Sequence, residues 1–399
     1  MRIAFAFGSI PTRNNQETDL QRAVVDKKDW LGQEAEYVAE VLGRRQPGSA
    51  TSIHVMYPVS GEAESNGVEW YATRPPSFMM KPFFYQGKQW SSRWMNKILD
   101  WKPDLVHWHM NSYAYTFHLA SRRLVKAGMP YVYQHHAAYL AKKPWVRRIL
   151  RYPHRMAKRG IYSISYYEKQ YREGLGLDPS KSTVIPVGYD ESFHKMDRDE
   201  CRRITKFEGD PVLFWCHGLT HRKDPLTVLK AYEQVIGEFP KSHFYMAGSG
   251  PIADQVGAYV QQSEALRTHV TLMGYVNNSD VPPMANAADI FIMASHMEPY
   301  GIASMEAMAC GAFPVLSAIP SMYEQTDNGR LGLLFEPGDV EDCTAKLRRA
   351  MGDVEFREAI RAQLPEATKP RSWGQTAERL VDLYEDVLGL EPTRERDGR

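Results

Sequence analysis

Residues 290–317 read IFIMASHMEPYGIASMEAMACGAFPVLS. The run Ile290 to Met293 has the length and apolarity of a buried strand. Pro299 and Gly301 then punctuate a loop. Beyond them Ala303, Met305, Ala307, Met308, Ala309 and Cys310 spread apolar groups around nearly every face of a helix, and Phe313 to Leu316 begins a second apolar run. Strand, buried helix and strand in so short a stretch is the signature of a parallel sheet with a helical crossover. The same alternation continues outward in both directions. Strands are expected at Val212 to Cys216, His243 to Met246, Val270 to Met273 and Leu331 to Phe335, and in the first half at Ile3 to Phe7, Ser52 to Tyr57, Leu105 to Trp108, Tyr131 to Tyr133, Ile161 to Ile164 and Thr183 to Ile185. The fold class is therefore α/β, with two Rossmann-like, doubly wound domains. Open sheets of this kind bind ligands beyond the carboxyl ends of their strands, so the expected site is an interdomain cleft that the two domains face.

The chain has 399 residues, more than one hydrophobic core normally serves. Boundaries are expected at 1–189, 190–210, 211–370 and 371–399. The charge-dense stretch 190–210 reads as a linker, and the last segment reads as a helix from Trp373 after the breaker Pro370. At 43% hydrophobic and 24% charged residues, the composition excludes disorder and collagen. No run of 18 apolar residues offers a membrane span. The opening MRIAFAFGSI reads as a first strand, not a signal peptide, which makes the cytoplasm the expected location. Four scattered cysteines with no C-x-x-C pair indicate neither a zinc framework nor a disulfide scaffold.

A net charge of +1 conceals an asymmetry. From Leu105 to Tyr167 there is no Asp or Glu, while eleven Lys or Arg occur. Eight of them fall in KKPWVRRILRYPHRMAKR, where Trp145, Ile149, Tyr152 and Met156 recur at helical spacing among Arg147, Arg148, Arg151 and Arg155. This basic amphipathic helix either faces acidic parts of the same protein or meets an anionic membrane surface or polyanionic acceptor. The remaining surface is net acidic and no recognition module is present, so nucleic acid is not an expected partner.

Candidate site residues form four groups. Glu298 lies in the loop after the Ile290 strand and Glu306 in the following apolar helix, where a carboxylate needs a partner. The backbone N–H groups of Tyr300, Gly301 and Ile302 fall at the same junction, an arrangement suited to a hydroxyl-rich ligand. In CHGLTHRKDP, Gly218 follows a strand and Arg222 and Lys223 precede a helix N-terminus, which suits a diphosphate. Gly8 and Ser9 end the first strand, where backbone N–H groups can approach a phosphate. Histidines make the fourth group. His107 and His109 share a strand face, and His135 and His136 end the next strand; His109 and His136 are the ones placed to touch ligand. With no carboxylate or cysteine nearby in sequence, these histidines predict no metal site.

On these residues the chain resembles the GT-B glycosyltransferases, most closely the retaining family-four enzymes that use a nucleotide-sugar donor. The resemblance implies that Glu298 and the following amides hold the donor sugar, that Glu306 binds the ribose, that Lys223 with Arg222 grips the diphosphate, and that His109 stands near the transferring carbon. HFYMAGSGP, which contains Gly250, is similar to segments lining the nucleotide pocket. The first domain is then the acceptor-binding one, the second the nucleotide-sugar-binding one, and the C-terminal helix crosses back onto the first. The implied activity is metal-independent transfer of a hexosyl group from a UDP- or GDP-sugar to a glycan, lipid-linked or small-molecule acceptor, with no cofactor. The opening residues and the basic helix, not the resemblance, set the expected location as the cytoplasm, with the inner face of the membrane as the alternative the helix offers. Three positions depart from the family pattern: Gly8-Ser9-Ile10-Pro11 replaces a double-glycine loop, Leu219 an arginine and Val187 an asparagine. A sugar-nucleotide epimerase of the same fold and a non-catalytic polyanion-binding protein remain alternatives. A nicotinamide dehydrogenase, suggested by Gly248, Gly250 and Ala253, lacks the acidic residue expected near Gly274.

Overall fold

A computed structural model describes residues 1–7, 30–56, 60–74, 91–110, 114–136 and 140–392. The chain divides into two compact units, Met1–Gly188 with Trp373–Arg399, and Tyr189–Ser372.

Among the described residues the first unit carries an eight-stranded sheet in the order β3-β4-β2-β1-β5-β6-β7-β8. The strands are β1 Arg2–Phe7, β2 Ala50–Met56, β3 Gly61–Ser65, β4 Val68–Thr73, β5 Leu105–Met110, β6 Tyr131–His135, β7 Arg159–Tyr162 and β8 Ser182–Val184. All neighbours run parallel except the edge hairpin β3–β4. That hairpin was not expected. It turns at Asn66 and Gly67, both with positive φ, and Asn-Gly is the residue pair that favours a tight hairpin turn. Helix Trp30–Arg45 and the C-terminal helix Trp373–Leu388 pack together over this sheet. Ala377, Leu380, Val381 and Tyr384 join Ile3, Phe5, Val38, Ile53 and Val132 in one apolar core. Arg45, its side chain only 6% exposed, ties the two helices through Glu378, Asp382 and Glu385.

The second unit carries a parallel six-stranded sheet in the order β11-β10-β9-β12-β13-β14. Its strands are β9 Val212–Cys216, β10 His243–Ala247, β11 Val270–Gly274, β12 Ile290–Met293, β13 Phe313–Ser317 and β14 Leu333–Phe335. Every residue of β12 and β13 is buried, the unbroken pattern of strands covered on both faces. The order reverses between β9 and β12, so the turns after these two strands sit at the switch point where such sheets bind ligands.

One boundary is corrected. Residues 190–210, read as a linker, belong to the second unit and hold the helix Arg198–Thr205. Its charged sequence turns to solvent while Cys201 is fully buried and the helix packs on Val281–Ala287. Asp289 fixes it from below: its carboxylate accepts from Arg198 at 2.8 Å, Arg202 at 2.7 Å, Arg361 at 3.3 Å and the Val212 backbone N–H at 2.7 Å. Asp197, which shares Asp-x-Asp spacing with Asp199, is the helix N-cap and accepts from Glu200 N.

Candidate functional site

In the second unit the loop after β12 delivers Glu298, which is 5% exposed. Lys223 Nζ pairs with Glu298 Oε1, and Arg222 Nη1 lies 3.4 Å from Oε2 while donating to the Met297 carbonyl at 2.8 Å. Burial pushes the Lys223 ammonium down from its ordinary range, and Glu298 opposes that shift. The sequence thus brings Arg222, Lys223 and Glu298 into one charged cluster, at the strand ends flanking the switch point. His217 is adjacent. Burial, reinforced by the charges of Lys223 and Arg222, holds it neutral, and its Nε2 has no hydrogen-bond partner. Nothing in the sequence pattern singled out His217, because a lone histidine after a strand carries no spacing signal.

One expectation about this cluster is corrected. The helix Pro225–Val235 does not offer open N–H groups to a phosphate, because Asp224 caps it, accepting from Thr227 N at 3.3 Å and Thr227 Oγ1 at 2.7 Å. Its own carboxylate occupies the anion position at the helix end. The cationic side chains therefore carry the charge here. The helix Ile302–Ala309 is different: it begins after Gly301, in left-handed conformation at φ 94°, and has no side-chain cap. Its first-turn N–H groups are uncapped. Gln325 Nε2 donates to the Tyr300 carbonyl at 2.6 Å and Ser304 Oγ to the Gly301 carbonyl at 2.7 Å, pinning the loop. At φ 94° Gly301 holds a backbone conformation that L side chains rarely adopt, so a substitution there would strain the turn.

Glu306 sits on the same helix with partial exposure, and its carboxylate has no partner among the described residues. Burial pushes its pKa up to about 8, and Asp190 adds to the shift. Its charge reaches Cys216, the last residue of β9. The partner that a carboxylate in this helix requires is therefore not supplied by the unit itself. Gly218 and Gly250 have different settings. A Cβ at Gly250 would lie 2.2 Å from the Leu219 carbonyl oxygen, so Gly250 serves the close approach of the β9 and β10 turns; one at Gly218 would meet only Ser249 O at 3.6 Å.

The first unit holds a buried polar cluster. His107 and His109 stack at 4.4 Å on β5, and His109 stacks on Phe7 at 4.4 Å. His109 Nδ1 is 2.8 Å from His136 Nε2, and His107 Nδ1 is 2.6 Å from the Tyr384 hydroxyl. The reading that no carboxylate accompanies these histidines is corrected by Glu34, fully buried on the helix Trp30–Arg45. Its Oε1 lies 3.8 Å from His109 Nε2 and 3.9 Å from His107 Nδ1. Glu34 is distant in sequence, and only the packing of this helix over the sheet brings it there. Burial pushes Glu34 up to about 8 and His136 down to about 3, and holds His107 and His109 well below the usual imidazole range.

Glu34, His107 and His109 have the residue types of a metal site, with ligand atoms within 4.8 Å of one another. Gln134, oriented to satisfy its neighbours, donates to Glu34 Oε1 at 2.5 Å and to His107 Nε2 at 3.2 Å. Both nitrogens of His107 are thereby engaged, so the described ligand set reduces to Glu34 and His109 Nε2, fewer than a metal site needs. The cluster is a neutral hydrogen-bonded network. Because Glu34 holds its proton more tightly when folded, the stability it contributes is full below pH 4.5 and is lost as pH rises through about 8. The Glu34→Gln variant should therefore gain melting temperature relative to wild type across that window, and parallel melting curves from acid to pH 9 would show that Glu34 holds no proton.

Gly8 and Ser9 lie outside the described residues. Arg148, Arg151 and Arg155 are exposed and Arg147 is half-buried on the helix Pro144–Met156.

Residues 197–366 match the family model of the glycosyl transferases group 1, and residues 35–193 that of glycosyltransferase family 4. The chain is 27% identical to the sulfoquinovosyl transferase SQD2 of Arabidopsis thaliana, over 71% of this chain and 56% of that protein. It is 26% identical to the 2-deoxystreptamine N-acetyl-D-glucosaminyltransferase of Streptomyces fradiae, over 72% of each. The chain spans little more than half the length of several relatives that it matches. Among solved structures its fold is similar to Anabaena HepE in complex with UDP, with a TM-score of 0.70 at 16% identity over 97% of this chain and 100% of that one. It is also similar to sucrose-phosphate synthase from Thermosynechococcus elongatus, with a TM-score of 0.73 at 15% identity over 97% and 99%. Two adjoining family models, each lying over one of the two parallel-sheet units, make this chain a glycosyltransferase of the group 1 family with the GT-B fold.

Proposed function

We propose that the chain moves a hexosyl group from a nucleoside-diphosphate sugar, a UDP- or GDP-sugar, to a glycan, lipid-linked or small-molecule acceptor, with retention of anomeric configuration. The observation that carries this reading is the charged cluster of Arg222, Lys223 and Glu298, with the unpartnered carboxyl of Glu306 on the helix that follows the Glu298 loop. A nucleotide sugar presents the matching groups: a diphosphate, sugar hydroxyls and a ribose diol. Departure of the nucleoside diphosphate requires positive charge on its oxygens, and Lys223 and Arg222 supply it from side chains, so the reaction needs no divalent ion. Glu298 and the backbone N–H groups of Tyr300, Gly301 and Ile302 orient the sugar hydroxyls, Glu306 accepts from the ribose, and Gly218, Gly250, Gly8, Ser9 and His136 complete the donor contacts. His109 is the group assigned to the transferring carbon. Similar structures were solved with UDP and with UDP-glucose, which favours a uridine donor for this chain too.

The test is release of nucleoside diphosphate from UDP- and GDP-hexoses in the presence of EDTA, with the product anomer read by NMR. Release that stops with EDTA, or no release from any donor, removes the reading. The ribose contact has its own signature. A diol donating to Glu306 stabilises the ionised carboxyl, so below about pH 8 binding must expel a proton. Affinity for UDP should rise with pH and level off above about 8, and Glu306→Gln should flatten that dependence in calorimetric titrations.

A further inference from the structure

The helix Pro144–Met156 turns the wrong way for an ordinary amphipathic helix. Its buried residues are Leu150, Pro153 and His154, whereas Trp145 is 62% exposed and Met156 43% exposed. Helical spacing sets Trp145, Tyr152 and Met156 in one outward stripe beside a second stripe of Arg148, Arg151 and Arg155. The helix is held firmly in this orientation. Pro153 has no N–H for the Ile149 carbonyl, and His118 Nδ1 fills that place at 3.1 Å. Around the two stripes, Lys142, Lys143 and Lys158 are exposed as well. Among the described residues none of these six cations has a carboxylate partner. Tyr115 and Tyr166, 53% and 46% exposed, stand on the helices that pack either side. Apart from Leu390, every exposed large apolar side chain described in this unit lies between residues 115 and 166, within the stretch that contains no Asp or Glu. A hollow of about 520 Å³ lined by Pro144, Arg147, Arg148, Arg151 and Gly174 flanks the same helix.

Arginine beside exposed Trp and Tyr is the composition of a bilayer interface: aromatic rings settle at headgroup depth while cations meet anionic phosphates. A soluble polyanion would use the cations and leave the aromatic stripe in water. We infer that this face docks the first unit on the surface of an anionic lipid bilayer, with phosphate headgroups over Arg148, Arg151 and Arg155 and Trp145 inserted beside them. The inference does not depend on the nature of the donor or acceptor.

The experiment is co-sedimentation of the full chain with vesicles of equal parts phosphatidylglycerol and phosphatidylcholine, against phosphatidylcholine alone. Binding should be confined to the anionic vesicles, weaken in high salt, and fall by about tenfold or more in the triple variant Arg148→Glu, Arg151→Glu, Arg155→Glu. Trp145→Ser should also weaken it, while leaving the salt dependence in place. Unchanged melting temperature and UDP binding in these variants separate lost docking from lost folding or lost donor recognition. Equal sedimentation with both vesicle types, wild-type binding by the triple variant, or binding to soluble polyphosphate but not to vesicles would overturn the inference.

Discussion

Replacing Lys223 by alanine lowers sugar transfer by a factor of about a hundred to a thousand, or about 2.7–4 kcal/mol of transition-state stabilisation. The physical reason is the setting of the ammonium. Its side chain is 12% exposed and paired with Glu298, so its charge acts where water screens it little. Arg222, 45% exposed and tied to the Met297 carbonyl, remains 3.4 Å from Glu298 and keeps the carboxylate from being stranded without a cation. The fold therefore survives while the positive charge proposed to face the diphosphate is halved. Steady-state kinetics should show the loss mainly in kcat, since the departing diphosphate gains its charge in the transition state. Adding Glu298→Ala to Lys223→Ala should cost much less than the two separate losses combined, because the residues act as a unit. A Lys223→Ala enzyme within tenfold of wild type would rule out the diphosphate role.

Asp289→Ala should destabilise the second unit by about 3–5 kcal/mol, the cost of breaking a buried charge network. The side chain is 4% exposed and serves three arginines and the Val212 N–H. Its loss leaves a buried donor at the start of β9 without an acceptor and detaches the helix Arg198–Thr205 from the sheet. Asp289→Asn keeps an acceptor oxygen and should cost less. Urea denaturation measures both, and a loss below about 1 kcal/mol for the alanine variant would mean that the network is dispensable.

Both sheets were legible because β-strands covered on two faces leave long apolar runs, as in Ile290 to Met293 and Val212 to Cys216. The hairpin Gly61–Ser65 with Val68–Thr73 was missed because its first strand, Gly-Glu-Ala-Glu-Ser, is an exposed edge with no apolar face; only Asn66-Gly67 marked it. The helix Arg198–Thr205 hid behind its charge. Its Asp197-x-x-Glu200 start was the available signal, and six of its eight residues are polar. In the site, Glu298 and Lys223 declared themselves through strand-end position and charge. Glu34 could not, since a helical glutamate beside Gln33 and Ala35 looks like any surface residue until its helix is laid across β5. The basic helix was legible in spacing but not in rotation: periodicity says which residues share a face, and packing by Leu150 and His154 decides which way that face points.

The C-terminal helix has a consequence for how the protein is made. Tyr189–Ser372 is one uninterrupted stretch, whereas the other unit is assembled from the segments that flank it on either side. On a ribosome, the inserted unit can therefore finish while its neighbour still waits for Leu380, Val381 and Tyr384 to emerge. The same late arrival delivers the hydroxyl that meets His107, so the buried imidazole cluster is completed only after the inserted unit has been made.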